Sequence, residues 1–237
     1  MEPTTKVFIF LTLVAVSSCY RDDPEKCCTD DQFETSYGGI IAQIQGDMAL
    51  GILQDMKLGY DVKGQRVGSE ASYYILDGPT FNIKTIQLWD QKKTYTILNG
   101  ACTVTPLEDP APVNCVPDDA KFSEYIYQGK DELLLQSWVL NAKPYGLRGI
   151  MFESITDKTC TPVGNSFVGV AQSGMYEMPM SYSSGYYNFT SGIQDPSKWF
   201  DIPDLCDKAD LKQTPYNGLD MLHPLLKIAH KISMRLF

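Results

Sequence analysis

Residues 81–88 read Phe-Asn-Ile-Lys-Thr-Ile-Gln-Leu, a short run in which apolar and polar side chains alternate. An alternation of period two is typical of a β-strand that buries one face. The pattern slips once after Lys84, which predicts a β-bulge at that point. Similar runs, separated by Gly, Pro and Asn, occupy 49–60, 66–76, 81–90, 93–105, 122–127, 132–141, 145–155, 166–176 and 182–193. Nine such runs predict an all-β domain with antiparallel strands.

Two segments outside these runs are predicted as loops. Residues 105–117 contain four prolines, which a central strand would not tolerate. Residues 20–35 are polar and carry the pair Cys27-Cys28, so they are predicted to form a loop held by disulfides.

The last residues have a different pattern. Pro224 suits the first turn of a helix, and a row of apolar residues follows it at helical spacing. The apolar row is Leu225, Ile228, Ala229, Ile232 and Leu236, and the basic row is Lys227, Lys231 and Arg235. This pattern predicts an amphipathic helix, which could cover a pocket mouth or touch an anionic membrane surface. The alternative is that the tail is a disordered extension.

The N-terminus is predicted to be a cleaved signal peptide. Lys6 precedes the ten-residue apolar run 7–16, which as a helix would be about 15 Å long and too short for a bilayer. Small residues follow, and cleavage before Ser18 or before Tyr20 fits the pattern. A bacterial lipobox at 16–19, which would lipidate Cys19, is the alternative. The predicted domains are therefore a signal peptide at 1–19, a β domain at 20–210 and an amphipathic tail at 211–237. The location is extracellular, and the lysosomal lumen also fits.

The cysteines agree with that compartment. The chain has seven, and cleavage before Tyr20 leaves an even set of six that can all pair. They are Cys27, Cys28, Cys102, Cys115, Cys160 and Cys206.

Composition and motifs exclude several classes of function. The net charge of −9 argues against nucleic-acid binding but is compatible with cation binding. The chain has no zinc-protease, serine-hydrolase or phosphate-loop motif, and its two histidines, His223 and His230, both lie in the tail. The Asp pairs at 22–23, 30–31 and 118–119 do not match a calcium loop, so no metal ligand is identified. An enzyme that uses two buried carboxylates is kept as a third hypothesis.

Two features suggest a binding protein. Asn188-Phe189-Thr190 is a glycosylation sequon, which would make this stretch exposed. The strands are also rich in aromatic residues, which fits either an ordinary β core or a curved sheet around an apolar pocket. The candidate pocket-lining residues are Tyr60, Phe81, Ile83, Trp89, Tyr95, Ile97, Leu135, Trp138, Phe152 and Phe167.

Four motifs in order resemble the ependymin-related proteins. They are Tyr60-Asp61 with Gln65-Arg66-Val67, Gln136-Ser137-Trp138, Cys160-Thr161-Pro162-Val163, and Gly192-Ile193-Gln194-Asp195-Pro196-Ser197 followed by Phe200 and Cys206. The resemblance covers roughly residues 27–206.

This resemblance implies secreted, disulfide-bonded and often glycosylated proteins. Their fold has two curved antiparallel sheets in a half-open, clam-like arrangement similar to bacterial lipoprotein carriers, with a hydrophobic pocket; a short C-terminal helix is expected here as well. It further implies the pairs Cys102–Cys206, Cys28–Cys160 and Cys27–Cys115, although Cys27 and Cys28 could exchange partners. A family cysteine near 72–76 and its partner are missing here, and Cys115 is expected to compensate.

The sequence therefore leads to a main hypothesis and an alternative. The main one is a non-enzymatic glycoprotein that binds a lipid or another hydrophobic ligand without a cofactor. The alternative is a calcium-binding extracellular protein that acts in cell–matrix adhesion. Matrix or membrane contact and homodimerisation are further expectations from the resemblance.

Overall fold

A computed structural model of the chain describes residues 23–45, 48–108, 110–141, 147–173 and 176–207. Its strands are β1 (Gln32–Gln45), β2 (Met48–Asp61), β3 (Arg66–Ile75), β4 (Thr80–Leu88), β5 (Lys93–Leu98), β6 (Ala101–Pro106), β7 (Lys121–Gln128), β8 (Leu133–Asn141), β9 (Leu147–Thr156), β10 (Pro162–Ser173) and β11 (Tyr176–Ser191). A short helix, α1 (Pro196–Phe200), and a 3₁₀ turn (Asp204–Cys206) follow.

All eleven strands belong to one antiparallel sheet with the order β6-β5-β4-β3-β2-β1-β11-β10-β9-β8-β7. The strand β1 is central, and an arm of five strands lies on each side of it. The predicted all-β antiparallel fold with a short helix near the C-terminus is confirmed. The two predicted sheets are the two arms of one continuous sheet.

The central strand β1 was not among the nine predicted runs. Its buried side alternates between large side chains, such as Phe33, Tyr37 and Ile41, and the residues Thr35, Gly39 and Gln43. Polar and small residues on this side hide the hydrophobic period. The loop predicted for residues 20–35 therefore extends into β1, which begins at Gln32.

Two other expectations are corrected. The run 93–105 is two strands, β5 and β6, joined by a turn in which Asn99 and Gly100 both have positive φ. The register of β4 with both neighbours is continuous, so there is no bulge after Lys84. The alternation slips because the end of β4 is buried on both faces, with Gln87 on one side and Ile86 and Leu88 on the other.

We call the face that carries Phe33, Tyr37 and Ile41 the inner face, and the opposite one the outer face. A single apolar cluster extends over the inner face from β4 on one arm to β8 on the other. The described residues place no layer of helices on this face, and buried side chains from both arms belong to the one cluster.

The outer face of the β2–β6 arm is covered by the segment 195–206, which we call the strap. Asp195 caps α1 by accepting hydrogen bonds from the backbone N–H groups of Ser197 and Lys198. The Trp199 ring then lies on Gly59 and the Trp199 backbone lies on Gly68, and these two glycines are paired across β2 and β3. A second apolar cluster, formed by Ile86, Leu88, Tyr95, Val104 and Cys206, lies under the end of the strap, where the disulfide Cys102–Cys206 fixes it.

The other two disulfides close one end of the inner face. The implied pair Cys102–Cys206 is found, but Cys27 bonds Cys160 and Cys28 bonds Cys115, the reverse of the implied pairing. Backbone pairing explains the exchange, because Cys28 lies directly opposite Cys115 in an antiparallel bridge. Neighbouring residues of an extended chain point to opposite sides, so Cys27 faces the inner cluster, where Cys160 is buried.

The turn between β2 and β3 is built on Asp61, whose side chain is 1% exposed. Its Oδ1 accepts hydrogen bonds from Gln32 Nε2 at 2.9 Å and from the Gly64 N–H at 2.8 Å, and its Oδ2 accepts one from Arg66 Nε at 2.8 Å. Burial alone would raise the pKa of the Asp61 carboxyl. The hydrogen bonds from Gly64, Gln32 and Arg66, with the Arg66 charge, outweigh burial and hold the pKa below its usual value.

Several expectations concern residues outside the described ranges. These are the signal peptide at 1–19 with its lipobox alternative, and the tail at 211–237 with its two histidines. The domain boundaries at 19 and 210 therefore stay predictions.

Replacing Gly59 by Ala should destabilise the protein by about 1–3 kcal/mol. A Cβ at this position would lie 2.6 Å from Cγ of Trp199, so the strap would have to move. Gly51→Ala on the same strand is the matched control, because its Cβ would meet Leu76 at an ordinary 3.7 Å. Chemical unfolding measures both variants, and equal losses would contradict the role assigned to Trp199.

Asp61→Asn should cost about 2 kcal/mol at neutral pH, because hydrogen bonds to a buried charge are lost. The folded pKa of Asp61 is depressed, so its contribution exists above the unfolded pKa of about 3.9 and disappears as the pH falls through the folded value. The difference in unfolding free energy between wild type and variant should therefore shrink below about pH 4. A difference that is constant from pH 7 to pH 2 would contradict this assignment.

Candidate ligand-binding face

The inner face presents aromatic rings and flexible thioethers. Phe33 stacks on Tyr60 and Phe189 with ring centroids 5.0 and 4.9 Å apart, and Tyr37 lies 4.8 Å from Tyr186. Four methionines belong to or pack against the same cluster: Met56, Met151, Met178 and Met180. Methionine adapts its shape easily and is common on surfaces that accept varied apolar ligands.

A row of polar residues crosses this apolar surface. Ser184 on β11, Asn165 on β10 and Glu153 on β9 are directly opposite one another in register, and Trp138 on β8 continues the row. Ser184 Oγ donates to Asn165 Oδ1 at 2.6 Å, and Asn165 Nδ2 donates to Tyr186 Oη at 3.1 Å. Both ends of the Asn165 amide are thus engaged on the side away from Glu153.

The Glu153 side chain differs from the other side chains of this row because it has no partner among the described residues. The residue is 3% exposed, and no described residue forms a hydrogen bond or ion pair with its carboxyl group. Burial raises the pKa of Glu153 well above its usual range. Burial, followed by the charges of Tyr182 and Glu153, likewise raises the pKa of the Tyr186 hydroxyl.

Other buried polar atoms of the same face lack protein partners. They are Tyr37 Oη, both amide atoms of Gln43 and Ser69 Oγ, for which the described structure offers no hydrogen bond. An unmatched buried polar group costs about 1–3 kcal/mol, so native proteins usually satisfy such groups with water or a ligand. The inner face is therefore a buried apolar cluster that contains polar groups without protein partners among the described residues.

The predicted pocket-lining residues fall into two groups. Tyr60, Phe81, Trp138 and Phe167 are buried in the inner cluster, and Ile83 and Trp89 pack against it. Tyr95 and Ile97 belong instead to the second cluster under the strap. Leu135 and Phe152 lie on the outer face of the other arm, where Phe152 is 42% exposed.

These last four residues do not lie on the inner face, although Ile97, Leu135 and Phe152 line grooves on the outer face. β5, β8 and β9 carry apolar side chains on both faces, so the sequence does not reveal which face is the inner one. That the remaining six contact a ligand stays a prediction.

Two open grooves lie on the outer face. One, of about 380 Å³, has Ile126, Leu135 and Phe152 as apolar walls. The other, of about 620 Å³, is polar, and its groups pair with each other: Ser72 Oγ with Asn82 Oδ1 at 2.8 Å, and Lys84 with Glu70 at 3.6 Å.

Asn188 is exposed and has a positive φ of 54°. It lies where the register of β1 and β11 shifts, because Glu34 pairs with Thr190 and Ser36 with Tyr187. The sequon is therefore at a bulge on the surface. This position is open to a glycan.

No helix in the described part of the chain has the length and apolarity needed to cross a membrane. The described residues also contain no group of three or more His, Cys, Asp or Glu that could hold a metal ion.

Comparison with known families identifies this fold. The sequence model of the ependymin family matches residues 77–206, more than half of the chain. The chain belongs to the ependymin family. A curated relative, the development-specific protein LVN1.2 of Lytechinus variegatus, is 28% identical over 169 residues, which span 67% of this chain and 89% of the relative.

Two solved structures also align with this ependymin-family chain. A DUF1329 family protein from Desulfovibrio piger aligns with a TM-score of 0.34 and 8% identity, over 73% of this chain and 90% of its own. A putative outer membrane lipoprotein-sorting protein domain from Vibrio parahaemolyticus aligns with a TM-score of 0.24 and 9% identity, over 69% and 88%. At such scores neither structure informs on the ligand of this chain.

The motifs that resemble the family maintain the fold. Asp61 holds the β2–β3 turn, Asp195 caps α1, and Cys160 takes a positive φ of 53° where it turns the chain into β10. Trp138 Nε1 donates to Gln136 Oε1 at 3.2 Å, which satisfies a buried indole. Glu153 lies outside these motifs, and sequence reasoning missed it because a Glu between Phe152 and Ser154 resembles an exposed strand position.

Glu153→Gln should stabilise the protein at pH 7 by about 1–3 kcal/mol, because it removes a buried ionisable group without a partner. The folded pKa of Glu153 is raised, so stability is highest below the unfolded pKa of about 4.3 and falls as the pH rises towards the folded value. The gain should therefore disappear near pH 4. The free energy of unfolding is measured for the wild type, for Glu153→Gln and for the exposed control Glu124→Gln. If Glu153→Gln is destabilised at pH 7, Glu153 has a compensating partner.

Proposed function

We propose that this ependymin-family protein binds a lipid or another amphipathic ligand on its inner face. The observation that carries the proposal is the coexistence, on one buried surface, of a large aromatic and methionine cluster with polar groups that lack protein partners. Apolar contacts would hold the chain of the ligand, and the open polar positions would hold its head group.

The proposed setting is extracellular. Three disulfides fit an oxidising compartment, and the exposed sequon at Asn188 is proposed to carry a glycan. Secretion through the signal peptide, and the lysosomal lumen as an alternative destination, are part of the same proposal.

The proposed role is non-enzymatic. The hypothesis of a carboxylate enzyme requires two carboxylates that face each other. In the described structure the buried carboxylates are Glu153 in the polar row and Asp61, which is paired with Arg66 at the β2–β3 turn. These two do not form a catalytic pair with each other, since Asp61 is already neutralised.

Calcium binding with a role in cell–matrix adhesion is the weaker proposal. It rests on the acidic composition and the family resemblance, and no carboxylate cluster in the described residues supports it. Contact with a matrix or membrane surface and homodimerisation remain proposals of the same kind.

Native mass spectrometry of the full secreted chain tests ligand binding, with primary alcohols of 8 to 14 carbons as probes. One equivalent should bind, and the affinity should rise about fourfold per added CH₂ because each buried CH₂ is worth about 0.8 kcal/mol. Absence of any adduct at every chain length would overturn the proposal.

Outer-face variants locate the site. Phe152→Ser and Val168→Ser change residues that are 42% and 65% exposed, so the fold should tolerate both. Alcohol binding should be unchanged in both variants. Loss of binding in either would place the ligand on the outer face and contradict the proposal.

A further inference from the structure

Few ionisable side chains are buried in the described part of the chain, and they differ in whether they have a partner of opposite charge. The buried carboxylates are Asp61, which is neutralised by Arg66, and Glu153, which has no cationic partner there. No Lys or Arg is among the buried residues of that part. Among the described residues, the inner face therefore offers one uncompensated acidic group and no buried basic one.

We propose that the ligand of the inner face is an amphiphile with a cationic head, of the class of long-chain amines, and that Glu153 is its counter-charge. This inference rests on the proposed function and specifies its ligand class. The alkyl chain would lie on the aromatic and methionine surface, and the ammonium group would bind beside Glu153.

The neighbours of Glu153 suit an ammonium ion. Trp138 lies directly opposite Glu153 in register on β8, and Tyr186 is near enough that Glu153 adds to the effect of burial in raising the pKa of its hydroxyl. Aromatic faces attract cations, and the attraction grows when the site is desolvated. Asn165, the neighbour on β10, already donates to Tyr186 and accepts from Ser184, so the Glu153 oxygens stay available to a donor from the ligand.

The same charge disfavours a fatty acid. A second carboxylate beside Glu153 would meet like charge in a site of low polarity, with no buried Lys or Arg to relieve it. Burial raises the pKa of Glu153, and a bound cation would lower it again by supplying the missing opposite charge. Because a bound cation and an ionised Glu153 stabilise each other, the site favours amines over ligands with neutral or anionic head groups.

The energetic cost of burying Glu153 without a partner points in the same direction. A buried ionisable side chain without a partner destabilises a fold, and such costs concentrate at functional sites. The family motifs are explained by turns, caps and disulfides, whereas Glu153 has no structural task of that kind in the described residues.

The test compares dodecylamine, dodecanol and dodecanoate, three probes with the same chain, below their micelle concentrations. Titration calorimetry on the full secreted chain should show that dodecylamine binds wild type at least about tenfold more tightly than dodecanoate. In Glu153→Gln, the affinity for dodecylamine should fall at least about tenfold, while that for dodecanol should stay within about twofold.

Glu124→Gln is the matched control, because it removes an exposed carboxylate and tests non-specific attraction of amines to an acidic protein. Dodecanoate binding as tightly as dodecylamine, or an equal effect of both Glu variants, would overturn the inference. If dodecanol binds but the amine has no preference, only the ligand class is wrong. If none of the three probes binds, the proposed function fails as well.

Discussion

The double pairing of β1 is the constraint on which the rest of the structure depends. All fourteen of its residues pair with β2, and its other edge pairs with β11, so it joins two arms of five strands. Two separate sheets would each expose an open edge in place of β1. Because β1 is shared by both arms, the inner face is continuous from one arm to the other and carries one apolar cluster.

The sequence predicted much of the two arms and failed at their junction. Runs such as 66–76 and 122–127 alternate strongly enough to identify strands β3 and β7. The central strand has Gly39 and the buried Gln43 on its inner face, where hydrophobic residues are expected. A small or polar residue is tolerated at these positions because β1 is paired with a strand on each side. That pairing exists only after the sheet has formed. Local pattern therefore predicts the arms and does not predict how they join.

The sequence indicates that the strands carry an aromatic-rich binding surface, but it does not identify which residues lie on that surface. Aromatic strands indicated a binding surface, yet Tyr95 and Phe152 lie on the outer face, because both faces of their strands carry apolar residues. Glu153 gave no signal, since an acidic residue in a strand normally faces solvent. Its burial follows from register across β8, β9 and β10, which is a property of the whole sheet. The family motifs, by contrast, act through local turns and caps, so sequence comparison detects them.

The position of β1 also orders the events of biosynthesis. The strands β1 to β6 can pair in succession as the chain leaves the ribosome, because each contacts the strand before it. The second edge of β1 waits for β11, whose partner residues lie about 150 positions later, as in the pair Phe33 and Ser191. Contacts of such long range form slowly and leave an unpaired edge exposed in the meantime. A half-sheet formed during synthesis would therefore keep the second edge of β1 unpaired until β11 has emerged.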